Sequence, residues 1–131
     1  MIPKDDVHKI AHARFEDATV LMTAKRYDGA VYLCGYAIEL GLKARICRTL
    51  NWLGFPENKG EFQGYQSFKT HNLNILLHLS GIEDEIKSKY FAEWSAVAQW
   101  NPEARYNPIG TIQESDAKQM IQAVEVLLKN L

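Results

Sequence analysis

The longest mostly apolar stretch of the chain covers residues 26–50 and contains no proline. A run of this length that begins at a turn predicts a long helix. Small side chains recur along it at spacings of four and three residues, which places them on one helical face: Ala30, Cys34, Ala37, Gly41 and Ala44. This face, called here the small-residue seam, lets another backbone approach closely. Apolar residues also flank the seam, so we expect this helix to be buried among the others.

A first helix is predicted over residues 6–25. Its apolar side chains recur at spacings of three and four: Val7, Ile10, Ala11, Phe15, Ala18, Leu21 and Met22. Asp5 or Asp6 is the expected N-cap of this helix, and Asp28 is the expected N-cap of the next one. Because the connection between the two helices is short, we expect an antiparallel hairpin.

Three more helices are predicted over residues 70–79, 83–99 and 115–131. Thr70 is the expected cap of the first, and Ser115 is the expected cap of the last. Glycine and proline are dense in residues 51–69 and 100–111, which predicts two loops. Five helices without a strand pattern predict an all-α fold. We expect an antiparallel up-and-down bundle of four main helices plus a short extra helix, in a single domain over residues 1–131.

The charges of the chain nearly cancel. It has 15 basic and 16 acidic residues and a net charge of −1, so any site for nucleic acid would have to be a local patch. Residues 1–6 lack the apolar core of a signal peptide, and no apolar run is long enough to span a bilayer. Cys34 and Cys47 lie thirteen positions apart on one predicted helix, about 20 Å along its axis, so they are not bonded to each other. We therefore expect a cytoplasmic protein with no membrane partner.

Three places along the chain resemble the HEPN family of small all-helical domains. The first combines residues 14–18 (RFEDA), 26–32 (RYDGAVY) and 35–44 (GYAIELGLKA); the second is His71 followed by Leu73, Leu76 and Leu77; the third is residues 104–108 (ARYNP). The three occur in the family's order and together cover most of the chain. The resemblance implies a helical bundle that assembles as a homodimer. It also implies a prokaryotic setting, often beside a partner nucleotidyltransferase in a toxin–antitoxin or defence pair.

Many members of this family are metal-independent ribonucleases that carry an arginine followed, after four to six residues, by a histidine. No arginine of this chain has a histidine at that distance; after Arg105 the corresponding positions hold Gly110, Thr111 and Ile112. We therefore expect a non-nuclease member that binds a nucleotide, RNA or a partner protein, with no catalytic residue, metal or cofactor. Two alternatives stay open. One is a divergent metal-independent RNA endonuclease, and the other is a purely structural dimerisation subunit.

Arg105, Tyr106 and Asn107 form the strongest candidate site. A guanidinium suits a phosphate, an aromatic ring suits a base, and an amide adds hydrogen bonds, which are the requirements for contacting a nucleotide or single-stranded RNA. The alternative is structural: Tyr106 would pin the loop to the helices while Arg105 pairs with a carboxylate. Both interpretations stay open on the sequence.

A polar stripe runs along the central helix, where Tyr32, Tyr36, Glu39 and Lys43 are spaced by four, three and four residues. This stripe could line a nucleotide or partner groove. The interpretation we favour is a structural ion pair, because Glu39 precedes Lys43 by four residues and a mostly apolar helix needs its buried charges paired.

Histidines offer weaker candidates. His8, His12 and Glu16 are spaced by four on the first helix, but two histidines and one carboxylate are a weak metal signal, and we expect solvated helix surface there. We expect His71, near a helix start, to bond to the backbone of the long loop. The two cysteines are expected to serve as small core residues.

Overall fold

The structure, a computed structural model, describes residues 1–131. It is mostly helical, with six α-helices, a two-stranded antiparallel sheet and two short 3₁₀ helices. The elements are β1 (Ile2–Pro3), α1 (Lys4–Thr23), α2 (Tyr27–Thr49), β2 (Gly54–Phe55), α3 (Leu73–Leu79), α4 (Glu83–Lys89), α5 (Phe91–Val97) and α6 (Glu114–Asn130), with the 3₁₀ helices at Gln66–Phe68 and Pro102–Tyr106. None of the helices combines the length and the apolar character needed to cross a bilayer.

Helix α2 lies at the centre of the molecule, as its apolar sequence predicts. It contacts α1 most extensively and also packs against α6 and α3. All five residues of the small-residue seam are buried. Gly35 and Gly41 permit two close approaches. A Cβ at Gly35 would overlap the indole of Trp100, and one at Gly41 would lie 2.9 Å from a methyl carbon of Leu128 in α6.

The start of α1 differs from the prediction. The helix begins at Lys4 directly after β1, with Pro3 at the N-cap position, so Asp5 and Asp6 lie in the first turn and neither caps it. The cause is the small sheet, in which Ile2 pairs with Phe55, while the Lys4 N–H donates to the Leu53 carbonyl at 3.0 Å. These bonds fix where the extended chain becomes helical. Two-residue strands carry too little periodicity for the sequence to indicate them.

Two other predicted caps are wrong. The N-cap of α3 is Asn72, whose side chain accepts from the Ile75 N–H at 3.1 Å. Thr70, two residues before this cap, accepts from the Asn72 N–H through Oγ1 at 3.0 Å. The cap of α6 is Gln113, which forms a capping box with Asp116. Ser115 lies inside that first turn. Several residues near each helix start are competent caps, so composition alone does not select among them.

The helix predicted over 83–99 is two helices. Tyr90, with φ −131° and ψ 37°, leaves the helical region and separates α4 from α5. Its hydroxyl donates to the side-chain oxygen of Asn130 in α6 at 2.9 Å. This long-range bond holds the break in place. Parts of the predicted loop over 51–69 pack against the core, with Phe55 and Phe62 only 2% and 6% exposed.

We predict that Gly35→Ala lowers the free energy of unfolding by about 2 kcal/mol, because the new methyl group displaces Trp100. The gain in helix propensity, about 1 kcal/mol, is too small to offset this overpacking. Urea unfolding followed by circular dichroism measures the change. Gly60→Ala is the matched control, since its Cβ would meet only an ordinary contact at 3.4 Å. An unaltered urea midpoint for Gly35→Ala would contradict the packing described here.

Candidate functional site

Most of the predicted site residues fall into two neighbouring groups along α2. The first, called here the arginine cluster, consists of Tyr32, Tyr36, Trp100, Arg105 and Tyr106. The second, called the glutamate cluster, consists of Glu39, Lys43 and His71. Asn107 borders the first group. Trp100 and His71 were not among the predicted site residues, and only the structure brings them in.

In the arginine cluster, the guanidinium lies at the surface with its charge unpaired. Arg105 donates to the Pro102 carbonyl at 3.0 Å and stands over the Tyr106 ring, 4.6 Å from its centroid. It forms no ion pair with a carboxylate. Tyr106 is 71% exposed, so it does not pin the loop to the helices. The structural alternative considered for these two residues is therefore wrong.

Three aromatic rings of this cluster pack against one another. The Tyr36 ring meets Tyr32 edge-on at 5.1 Å and meets Trp100 edge-on at 5.0 Å between centroids. The Trp100 indole packs directly over Gly35, where any side chain would overlap it. Burial raises the pKa of Tyr36 to about 12, and the Tyr32 hydroxyl and the Glu39 carboxylate contribute in the same direction. Tyr36 therefore stays a neutral hydrogen-bonding phenol at physiological pH.

A groove of about 270 Å³ adjoins Arg105, and Tyr32, Asn107 and Ile112 also line it. Asp28 also lines the groove, and its hydrogen bonds hold the residue 110–112 side of it in place. The predicted role of Asp28 as an N-cap is wrong, since Arg26 takes that position. Its carboxylate instead accepts from the backbone N–H of Gly110 at 2.7 Å and of Ile112 at 3.0 Å, residues more than eighty positions away. These two hydrogen bonds hold the pKa of Asp28 below its usual value.

We predict that Asp28→Asn lowers the free energy of unfolding by about 1 kcal/mol at pH 7, because an amide oxygen replaces a charged acceptor at a solvent-accessible site. A depressed folded-state pKa means that the stabilisation is present above the unfolded-state pKa of about 4 and is lost as pH falls through the lower folded value. The variant and the parent should therefore converge as pH falls below the folded-state pKa of Asp28.

Urea unfolding at several pH values tests this prediction. Asp84→Asn, which removes an exposed carboxylate without a hydrogen-bond partner, is the control and should leave stability within about 0.5 kcal/mol of the parent. A difference between Asp28→Asn and the parent that stays constant down to the lowest pH would contradict the anchoring role.

The glutamate cluster surrounds a buried carboxylate. Glu39 is 2% exposed, and each of its oxygens has one partner. Lys43 Nζ donates to Oε2 at 3.0 Å, and His71 Nδ1 lies 2.8 Å from Oε1. The predicted ion pair is thus confirmed. The predicted bond of His71 to loop backbone is wrong, because the chain entering α3 carries the imidazole onto α2. No helical spacing connects residues 32 positions apart.

We predict that Glu39→Gln lowers the free energy of unfolding by about 3 kcal/mol, since it leaves the largely buried Lys43 ammonium without its counter-charge. Chemical unfolding measures this loss. Glu125→Gln removes one partner of an exposed pair with Lys129 and should change stability by less than about 1 kcal/mol. Equal losses of unfolding free energy for the two substitutions would show that the buried Glu39 pair stabilises the protein no more than the exposed pair does.

The remaining candidates do not form sites. The His8 and His12 rings lie 4.5 Å apart, but no group of three or more potential ligands is positioned to hold a metal ion. Cys34 and Cys47 are free and buried in the core, as predicted. Burial raises the pKa of the Cys34 thiol to about 12, which suits a packing residue.

The chain matches no family model, no curated protein and no solved structure.

Proposed function

We propose that this chain is a HEPN-like binding module without nuclease activity, and that it binds a nucleotide or RNA at the arginine cluster. Two of the motifs that carry the resemblance support this proposal. Residues 35–44 supply Tyr36, which packs against Trp100 and Tyr32, and residues 104–108 supply Arg105, whose side chain lies near Tyr32. Motifs about seventy positions apart thus contribute to one surface.

The observation that carries the proposal is the unpaired charge of Arg105 beside the exposed ring of Tyr106. A guanidinium that is not neutralised by a carboxylate keeps N–H donors for a phosphate. A solvent-facing tyrosine offers a surface on which a base stacks, and such stacking is tolerant of sequence. The groove of about 270 Å³ beside Arg105, with Asn107 on its wall, gives the rest of a bound nucleotide a place to lie.

The rest of the proposal concerns assembly and setting. The module is an antiparallel up-and-down bundle of four main helices plus short ones, and it forms a cytoplasmic homodimer. It acts in a prokaryotic toxin–antitoxin or defence-type system, with a nucleotidyltransferase as its protein partner. The homodimer, the setting and the partner are what the resemblance to this family implies.

We predict that Arg105→Gln and Tyr106→Ala each weaken binding of a short fluorescein-labelled single-stranded RNA about tenfold, the first through loss of the phosphate contact and the second through loss of stacking. Fluorescence anisotropy at two salt concentrations measures both effects. Lys118→Gln, which removes an exposed charge from α6, is the control and should bind like the parent. Parent-like binding by Arg105→Gln would refute this assignment of the site.

The two alternatives give different results. A divergent endonuclease would cleave RNA in the presence of chelator, and Arg105→Gln would abolish that cleavage. A purely structural subunit would bind no RNA or nucleotide, yet light scattering would give twice the 15.0 kDa mass of the chain. A mass of one chain would refute the homodimer.

A further inference from the structure

A second cleft shares no lining residue with the groove beside Arg105. It is called here the aromatic cleft, and it lies between α2 and the segment over residues 55–71. Its apolar wall is formed mainly by Leu40, Phe55, Phe62 and Phe68, and its volume is about 410 Å³. Pockets for small molecules are of this size and combine such walls with a few placed polar groups.

Polar groups occupy one side of the aromatic cleft: Lys43, Lys69, Thr70 and His71. Thr70 Oγ1 accepts from the backbone N–H of Asn72, which leaves the hydroxyl hydrogen for an outside acceptor. His71 uses Nδ1 toward Glu39, so Nε2 remains for another partner, and its side chain is 60% exposed. Lys69 is exposed and forms no ion pair.

One side of this cleft offers positive charge to a ligand. Glu39 is behind the wall, and both of its oxygens are already bonded to Lys43 and His71. Glu57, the acidic residue that lines the cleft, lies 3.4 Å from the N-terminal ammonium of Met1, which also pairs with Glu61 at 2.5 Å. Lys69 is left as a cation without a counter-charge. An anionic group would complement that side of the cleft.

We propose that the aromatic cleft binds a small organic carboxylate with an aromatic body. The body displaces water from the phenylalanine rings of the wall. The carboxylate faces Lys69, the Thr70 hydroxyl and His71 Nε2, which donates when the imidazole is protonated. This ligand site is independent of the proposed RNA site, because the two share no residue.

The test uses the full-length ¹⁵N-labelled chain titrated with 1-naphthoate at pH 6, followed by two-dimensional amide NMR. We expect saturable shifts of the backbone amides of Leu40, Phe55, Thr70 and His71. The neutral isostere 1-naphthylmethanol should bind at least fivefold more weakly, because it lacks the charge. Lys69→Gln should weaken naphthoate binding about threefold, as the loss of an exposed ionic contact does.

Lys59→Gln is the matched control, since it removes an exposed lysine from the same connection outside the cleft and should leave naphthoate affinity unchanged. The amide spectra also show whether each variant is folded. Shifts away from the cleft residues, equal affinity for the neutral isostere, or equal weakening by the two lysine variants would each overturn the proposal. RNA binding by Lys69→Gln should match the parent, so failure here is distinguishable from failure of the RNA site.

Discussion

The buried carboxylate of Glu39 constrains how the rest of the chain is arranged. Removing a carboxylate from water costs several kcal/mol, and only well-placed charged or hydrogen-bonding partners offset that cost. One partner, Lys43, comes from the next turn of α2, while the other, His71, comes from the chain entering α3. The carboxylate therefore fixes where that chain crosses α2. The loop before it supplies the aromatic wall of the second cleft, so the ion pair and the cleft depend on the same crossing.

The arginine cluster depends on two further contacts with α2. Trp100 can lie over α2 only because position 35 has no side chain. This contact fixes the position at which the segment that carries Arg105 begins. At the other end of the segment, Asp28 accepts two backbone hydrogen bonds from Gly110 and Ile112. A loop that holds an exposed arginine is thus fixed at both ends by one helix. Such support keeps the guanidinium beside its groove despite the absence of an ion pair.

The sequence predicted those features that depend on helical periodicity. The buried α2, the small-residue seam and the Glu39–Lys43 pair all follow from spacings of three and four residues. Helix ends were less predictable, because several residues near the starts of α3 and α6 are competent caps, and the start of α1 depends on a bond from Lys4 to Leu53. The hydroxyl of Tyr90, at the break between α4 and α5, bonds a partner forty positions away, which no local pattern indicates. For the candidate site, the sequence proposed residues such as Arg105 and Glu39, but it did not indicate that Trp100 and His71 lie beside them, since both reach α2 through folding alone.

Tyr36 belongs to the arginine cluster, but its pKa responds to both clusters. Burial raises this pKa most, Glu39 adds to the rise, and Arg105 acts in the opposite direction. A phosphate bound at Arg105 would screen that positive charge, so the pKa of Tyr36 would rise further. The phenol is therefore neutral in the free protein, and it would stay neutral if an anion were bound at Arg105. A tyrosinate at this position would repel such an anion. The burial of Tyr36 against Trp100 thus keeps a negative charge away from Arg105.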